Sequence, residues 1–252
     1  MIIRFVCLVF LAFSLFTGRA QAQEYAPISW VNLIHTMIRF NAINMSDQNI
    51  LDEYAIVSEY DLYKTFFKDD FKWNQVREAI KDSIRLNIAT YPTNYFHDLT
   101  VRLDRYDFEA KLFRLDAESV LRGVNSFALL AVRGTGCEKA KVEYLPRSFR
   151  AVLSAPVYLD GLPLSEGDAK ALLERMKIGD NPKRIIFARY NFRTVYIEPM
   201  HKIERDFFGQ TKMRYAQTKA GSSDVVRLDM RLDSIGFYED PQRTKLVYLF
   251  TP

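Results

Sequence analysis

From Val226 to Asp233 the chain reads VRLDMRLD, with apolar and charged residues in strict alternation. Side chains on an extended backbone point to opposite faces in turn, so Val226, Leu228, Met230 and Leu232 share one face, and Arg227, Asp229, Arg231 and Asp233 the other. This predicts a half-buried antiparallel strand over residues 225–237. Its charged face alternates in sign, so arginines and aspartates pair along the surface without a one-signed field.

The same pattern predicts the rest of the body. Between residues 28 and 86 the apolar period is helical. Trp30, Ile34, Met37 and Ile38 form one stripe. A second helix is expected from a cap at Ser46, carrying Ile50, Leu51, Tyr54 and Val57. Trp73, Val76, Ile80, Ile84 and Ile88 line a third, which Pro92 stops. After Pro92 the period falls to two. Leu99, Val101 and Leu103 alternate with Thr100, Arg102 and Asp104, and the run continues past a bend to Phe113. Residues 126–132, SFALLAV, are expected as a central strand covered on both faces. Residues 149–159 are expected as a strand that Pro156 pushes towards an edge or bulge. One helix is marked from Ser165, with Asp168 as box partner, Leu164 and Ala169 as staple, and Gly179 as stop. Strands follow at 184–190, 193–198, 211–217 and 225–237, then a turn at 239–242 and a closing strand at 246–250.

Helices first and then short-linked strands predict an α+β fold. N-terminal helices precede a mostly antiparallel sheet with one helix packed on it. Residues 23–252 form a single domain on this reading, with Pro92 as the only internal boundary.

Residues 1–22 change the picture most. Arg4 precedes an apolar core at residues 5–16, and Ala20 and Ala22 offer a signal-peptidase site. Cleavage after Ala22 is expected, in a bacterial style, which would place the mature chain in the periplasm or outside the cell. The apolar run is too short to span a bilayer of about 30 Å, so no transmembrane segment is expected after cleavage. Arg4 and Arg19 leave with the signal, and the formal net charge falls from +4 to +2. With charges interleaved and near balance, no nucleic-acid footprint is present. Cysteine falls from two residues to Cys137 alone, so no intramolecular disulfide forms and stability rests on the core.

Candidate chemistry is sparse. His35, His97 and His201 show no metal-ligand spacing and no GxSxG elbow is present, so neither metal, cofactor nor catalytic residue is assigned. The glycines at 134 and 136 lack a following helix and make a turn, not a phosphate cradle. Cys137, close to Lys139, is the one candidate reactive thiol, since a neighbouring ammonium favours the thiolate. The rings of Tyr54, Tyr60, Tyr63, Phe66, Phe67, Phe71 and Trp73 recur at helical spacing and read first as core. The alternative is an aromatic ligand surface built on Tyr60, Tyr63, Phe67 and Trp73.

The run YDFEAKLF at residues 106–113, the LSEGDAKALLERM helix at 164–176 and RIIF at 184–187 together resemble a pattern in uncharacterised exported bacterial proteins. The resemblance covers about residues 91–198. It implies a domain of unknown function and carries over no site residue.

Three classes of function remain. The first is a non-enzymatic envelope protein that binds a protein partner, through an exposed strand edge such as residues 246–250. The second is a carrier or sensor for a small apolar molecule, using the aromatic cluster as a pocket wall. The third is a hydrolase or transferase without a recognisable motif. An enzyme ordinarily leaves at least one motif, so the first class leads and the reading leans against an enzyme. Oligomeric state is left open.

Overall fold

The computed structural model describes residues 24–129, 142, 144–146, 148–178, 181–199, 201–205, 211–215 and 225–252, with backbone alone at 178, 181–182, 201–205 and 211–215. Residues 1–22 and Cys137 lie outside the described residues. In chain order the elements are β1 (Ala26–Pro27), α1 (Trp30–Arg39), α2 (Gln48–Ser58), α3 (Tyr60–Phe66), α4 (Asp70–Asn87), β2 (Asn94–Asp107), β3 (Leu112–Leu115), β4 (Leu121–Leu129), β5 (Ser148–Leu159), β6 (Gly161–Pro163), α5 (Glu166–Arg175), β7 (Lys177–Ile178), β8 (Asn181–Pro182), β9 (Ile185–Ile197), β10 (His201–Arg205), β11 (Thr211–Tyr215), β12 (Val225–Tyr238) and β13 (Leu246–Phe250). The fold is α+β, as the order of periodicities predicts.

The main sheet has nine strands in the order β4-β5-β12-β9-β2-β3-β6, with β1 on β2 and β13 on β12. Two small hairpins, β7-β8 and β10-β11, stand apart from it. The sheet curls, because β6 follows β5 after Asp160 alone. Residues 148–163 therefore touch both arms of the sheet: β12 at Ser148 to Leu153, and β3 at Gly161 to Pro163. Leu115 N donates to Asp160 O at 3.0 Å and holds the corner.

The organising strand is central, and it is mixed where an antiparallel strand was expected. β12 pairs antiparallel with β9 and β13 but parallel with β5. Alternation reports the buried face and carries no strand direction. Its apolar face, Val226, Leu228, Met230 and Leu232, is buried as expected, followed by Ile235 and Phe237. Two further expectations are corrected here. β4 lies at the end of the described sheet, and Ala128 is exposed while Phe127 is half-buried. The described part of the run, residues 126–129, is not doubly covered, because alanine faces water at little cost, and residues 130–132 lie outside the described residues. The cap of α2 is Asp47, one residue later than expected; its side chain accepts from Asn49 N, and Ser46 N donates to the Asn44 side chain at 2.9 Å. The bulge at Pro156 is present. Val152 pairs with Ser126 and Val157 with Val124, which leaves residues 153–156 opposite Asn125 alone.

The first helices pack on this sheet through a polar joint as well as an apolar one. Leu33, Ile34 and Met37 of α1 are fully buried, each contributing about 2 kcal/mol relative to exposure. The fully buried Tyr95 of β2 donates to Asn32 O at 2.7 Å and also meets Thr36 Oγ1. Val142 and residues 144–146 are drawn into the same core: Trp30 Nε1 donates to Pro146 O at 2.8 Å, and Val142 and Leu145 are buried. α5 keeps its expected cap, Ser165 to Asp168 N. Tyr106 donates to Leu164 O at 2.9 Å, and Arg175 pairs with Glu239 at 2.7 Å, tying the helix to the sheet on which it packs.

Candidate interaction surfaces

β13 reads LVYLF, an uninterrupted apolar strand with no charge or proline within it. Its one described partner is β12, so among the described residues its outer edge has no strand partner for its backbone N–H and C=O groups. Leu246 is 55 % and Leu249 50 % exposed, while Val247, Tyr248 and Phe250 are half-buried against the core. The preceding turn is rigid. The Asp240 carboxylate accepts from Lys245 N at 2.7 Å and from Thr244 N at 3.1 Å, which fixes where β13 begins.

β5 and β13 share one side of β12, because β9 occupies the other from Leu228 to Tyr238. β5 pairs up to Met230 and β13 takes over at Ile235, so the sheet forks between them. A cleft of about 440 Å³ opens at the fork, lined by residues 154–157, residues 231–233 and Pro252. The cleft carries an ion-pair network. Asp233 accepts from Tyr25 Oη at 2.9 Å, from Arg231 Nε at 3.1 Å and from Arg193 Nη2 at 3.4 Å.

The four candidate aromatics do come together. Tyr63 lies 6.4 Å from Tyr60, 4.5 Å from Phe67 and 5.7 Å from Trp73 between ring centroids, and Phe67 meets Trp73 edge-on at 5.4 Å. Only Trp73 is core. Its Nε1 donates to Asp52, which a bidentate Arg77 also grips at 2.6 and 2.7 Å, so α2 and α4 are locked beneath the rings. α3 buries none of its residues, and Phe71, at the start of α4, is 86 % exposed. Helical spacing groups rings without saying what covers them. With Leu62 and Phe67 these rings make an exposed apolar corner, a feature that marks contact surfaces.

The histidines are placed apart. His35 stacks on Tyr91 at 4.0 Å, and its Nε2 lies 2.9 Å from Tyr54 Oη, while burial pushes its pKa down to about 4. Burial also lowers His97, partly opposed by Asp98. His201 belongs to β10, whose side chains are not described. Among the described residues no group of three or more His, Cys, Asp or Glu side chains is placed to hold a metal, and no helix is long and apolar enough to cross a membrane.

His35 gives a signed expectation. Its folded pKa lies below the unfolded value near 6.5, so the unfolded chain binds the extra proton first. Stability is complete above pH 6.5 and falls as the pH drops towards 4, by about 2 kcal/mol after allowing for partial solvent screening. Urea unfolding at stepped pH checks this, and the slope across that window flattens in His35→Asn.

A family model described as Domain of unknown function (DUF4852) matches residues 46–174. The match runs from the start of α2 almost to the end of α5. It overlaps the resemblance read from the motifs and begins earlier in the chain. It holds the aromatic corner and the β5 wall of the cleft, whereas β12 and β13 lie beyond it. No curated protein and no solved structure matches the chain.

Proposed function

The chain belongs to the DUF4852 family, whose model covers just over half of it, and from that premise we propose that it is an exported, non-enzymatic envelope protein that binds a protein partner by accepting an extended strand at β13. The observation that carries this is the outer edge of β13. A five-residue apolar strand whose outer edge has no strand partner among the described residues, with two half-exposed leucines, has the chemistry that strand addition uses: main-chain bonds for affinity and side-chain contacts for choice. Native sheets ordinarily blunt such edges with lysine, proline or a covering loop. The exposed corner at Phe67 and Phe71 adds a second contact surface of the kind partners cover. Export is supported by the basic, apolar and small-residue succession of residues 1–22.

Replacing both Leu246 and Leu249 by lysine tests the reading, because edge lysines oppose strand addition while half-exposed positions bear substitution for about 1 kcal/mol or less. Fractionation of the source cells should place the mature chain with periplasmic markers. Formaldehyde crosslinking in those cells should give one discrete larger species, reduced about tenfold in the double variant with little change in Tm. A species of undiminished yield in the variant, or a chain retained in the cytoplasm, overturns the proposal.

A further inference from the structure

Among the described residues, backbone on both walls of the fork beside β13 has no strand partner. On the side of β12 that faces the cleft, residues 231–234 have no strand partner among the described residues, falling between Met230, the last position paired with β5, and Ile235, the first paired with β13. β5 has lost β12 after Leu153, and residues 154–156 also lie in the bulge against β4, where Pro156 has no N–H to donate. The groups that would satisfy these walls are those of an extended peptide backbone. A cleft of about 440 Å³ sits in the lower part of the range of ligand pockets, enough for a short segment of chain and too small for a folded element.

Its side chains narrow the class further. Ala155, Pro156 and Leu232 supply apolar lining. The ion pair beside them is unevenly covered: Asp233 is 13 % exposed and accepts from Tyr25, Arg193 and Arg231, while the Arg231 side chain is 55 % exposed. Arg231 turns Nε and Nη2 to Asp233, and its remaining guanidinium N–H groups meet no other acceptor among the described residues. The cleft thus offers an anion acceptor next to an apolar seat.

We infer that the cleft is the specificity subsite of the strand-accepting edge, taking an extended peptide segment that places an apolar residue against Ala155 and Pro156 and a carboxylate on Arg231. The inference rests on the strand-accepting reading of β13. Pro252, two residues beyond the end of β13, lines the cleft, so the cleft adjoins the end of the β13 edge. Main-chain pairing on β13 then gives affinity without sequence preference, and the cleft supplies the preference.

Selection of a displayed library of randomised ten-residue peptides on the mature protein, followed by fluorescence titration of the enriched sequence made synthetically, separates the two layers. The expected result is enrichment of alternating sequences with Glu or Asp one or two positions from an apolar residue. Binding should weaken about fivefold when that acidic residue is made Gln, with no such loss in Arg231→Gln, where the partner cation is already gone. Ala155→Trp, which fills the cleft, should cost about tenfold or more, and Leu249→Lys should weaken every selected peptide; thermal unfolding confirms that each variant is folded. Peptides that depend on Leu249 but bind Ala155→Trp and Arg231→Gln unchanged overturn the subsite and leave the edge standing. No enriched peptide at all, or peptides indifferent to Leu249→Lys, overturns both.

Discussion

Glu53→Ala is expected to destabilise the protein by about 4 kcal/mol. Glu53 lies on α2 with only 6 % of its surface exposed, and its carboxylate accepts from both Tyr144 N and Leu145 N at 2.7 Å. Truncation leaves two buried donors unpaired, at about 1–3 kcal/mol each, and opens a cavity beside the fully buried Leu145. Glu53→Gln keeps one acceptor oxygen and should lose less than half as much. Urea unfolding reads the difference, and thermal unfolding should show a Tm lower by roughly 10 °C in the alanine variant. An alanine variant within 1 kcal/mol of the parent would mean that the helical layer is not anchored to Tyr144 and Leu145 in this way.

Gly161→Ala is expected to cost about 3 kcal/mol by opening the curl of the sheet. A methyl group built on Gly161 would lie 2.2 Å from Phe113 O and 2.6 Å from Leu112 Cδ1, and the first of these is backbone that no rotamer change can move aside. β6 must then back away from β3, although Gly161 pairs there with Arg114 and Leu162 is fully buried next to it. The damage should be local. Hydrogen exchange of β3 and β6 should speed up strongly while β9 and β12 hold their protection, since their pairing does not pass through this corner.

What could be read from the residues, and what could not, follows from the range over which each signal acts. The buried face of β12 is legible because alternation is a property of the strand itself. Its parallel partner is not, since nothing in VRLDMRLD depends on the direction of β5. The helix caps at Ser165 and Asp47 are legible to within a residue, because a capping oxygen reaches only two or three positions along the chain. The closure of the sheet through β6 escapes notice, as three residues carry no periodicity and the constraint lies in how Gly161 meets Phe113. For the aromatic cluster, spacing groups Tyr60, Tyr63, Phe67 and Trp73, whereas Tyr54 meets His35 instead. Their exposure depends on α3 having nothing packed over it, which no local pattern records. The segment 246–250 reads as a strand either way. The cleft beside it exists only because β5 and β13 meet the same side of β12 at different heights.

The most direct test of strand acceptance at β13 is a photo-crosslinkable amino acid placed at Leu249, with a second protein carrying it at Phe71, each irradiated in intact source cells. A single discrete adduct is expected from position 249 that disappears when Leu246 is also made lysine, while the thermal stability of the labelled protein stays near that of the parent. Position 249 yielding no adduct, or the same adduct with Lys at 246, would contradict it. An adduct from position 71 alone would move the partner site to the aromatic corner.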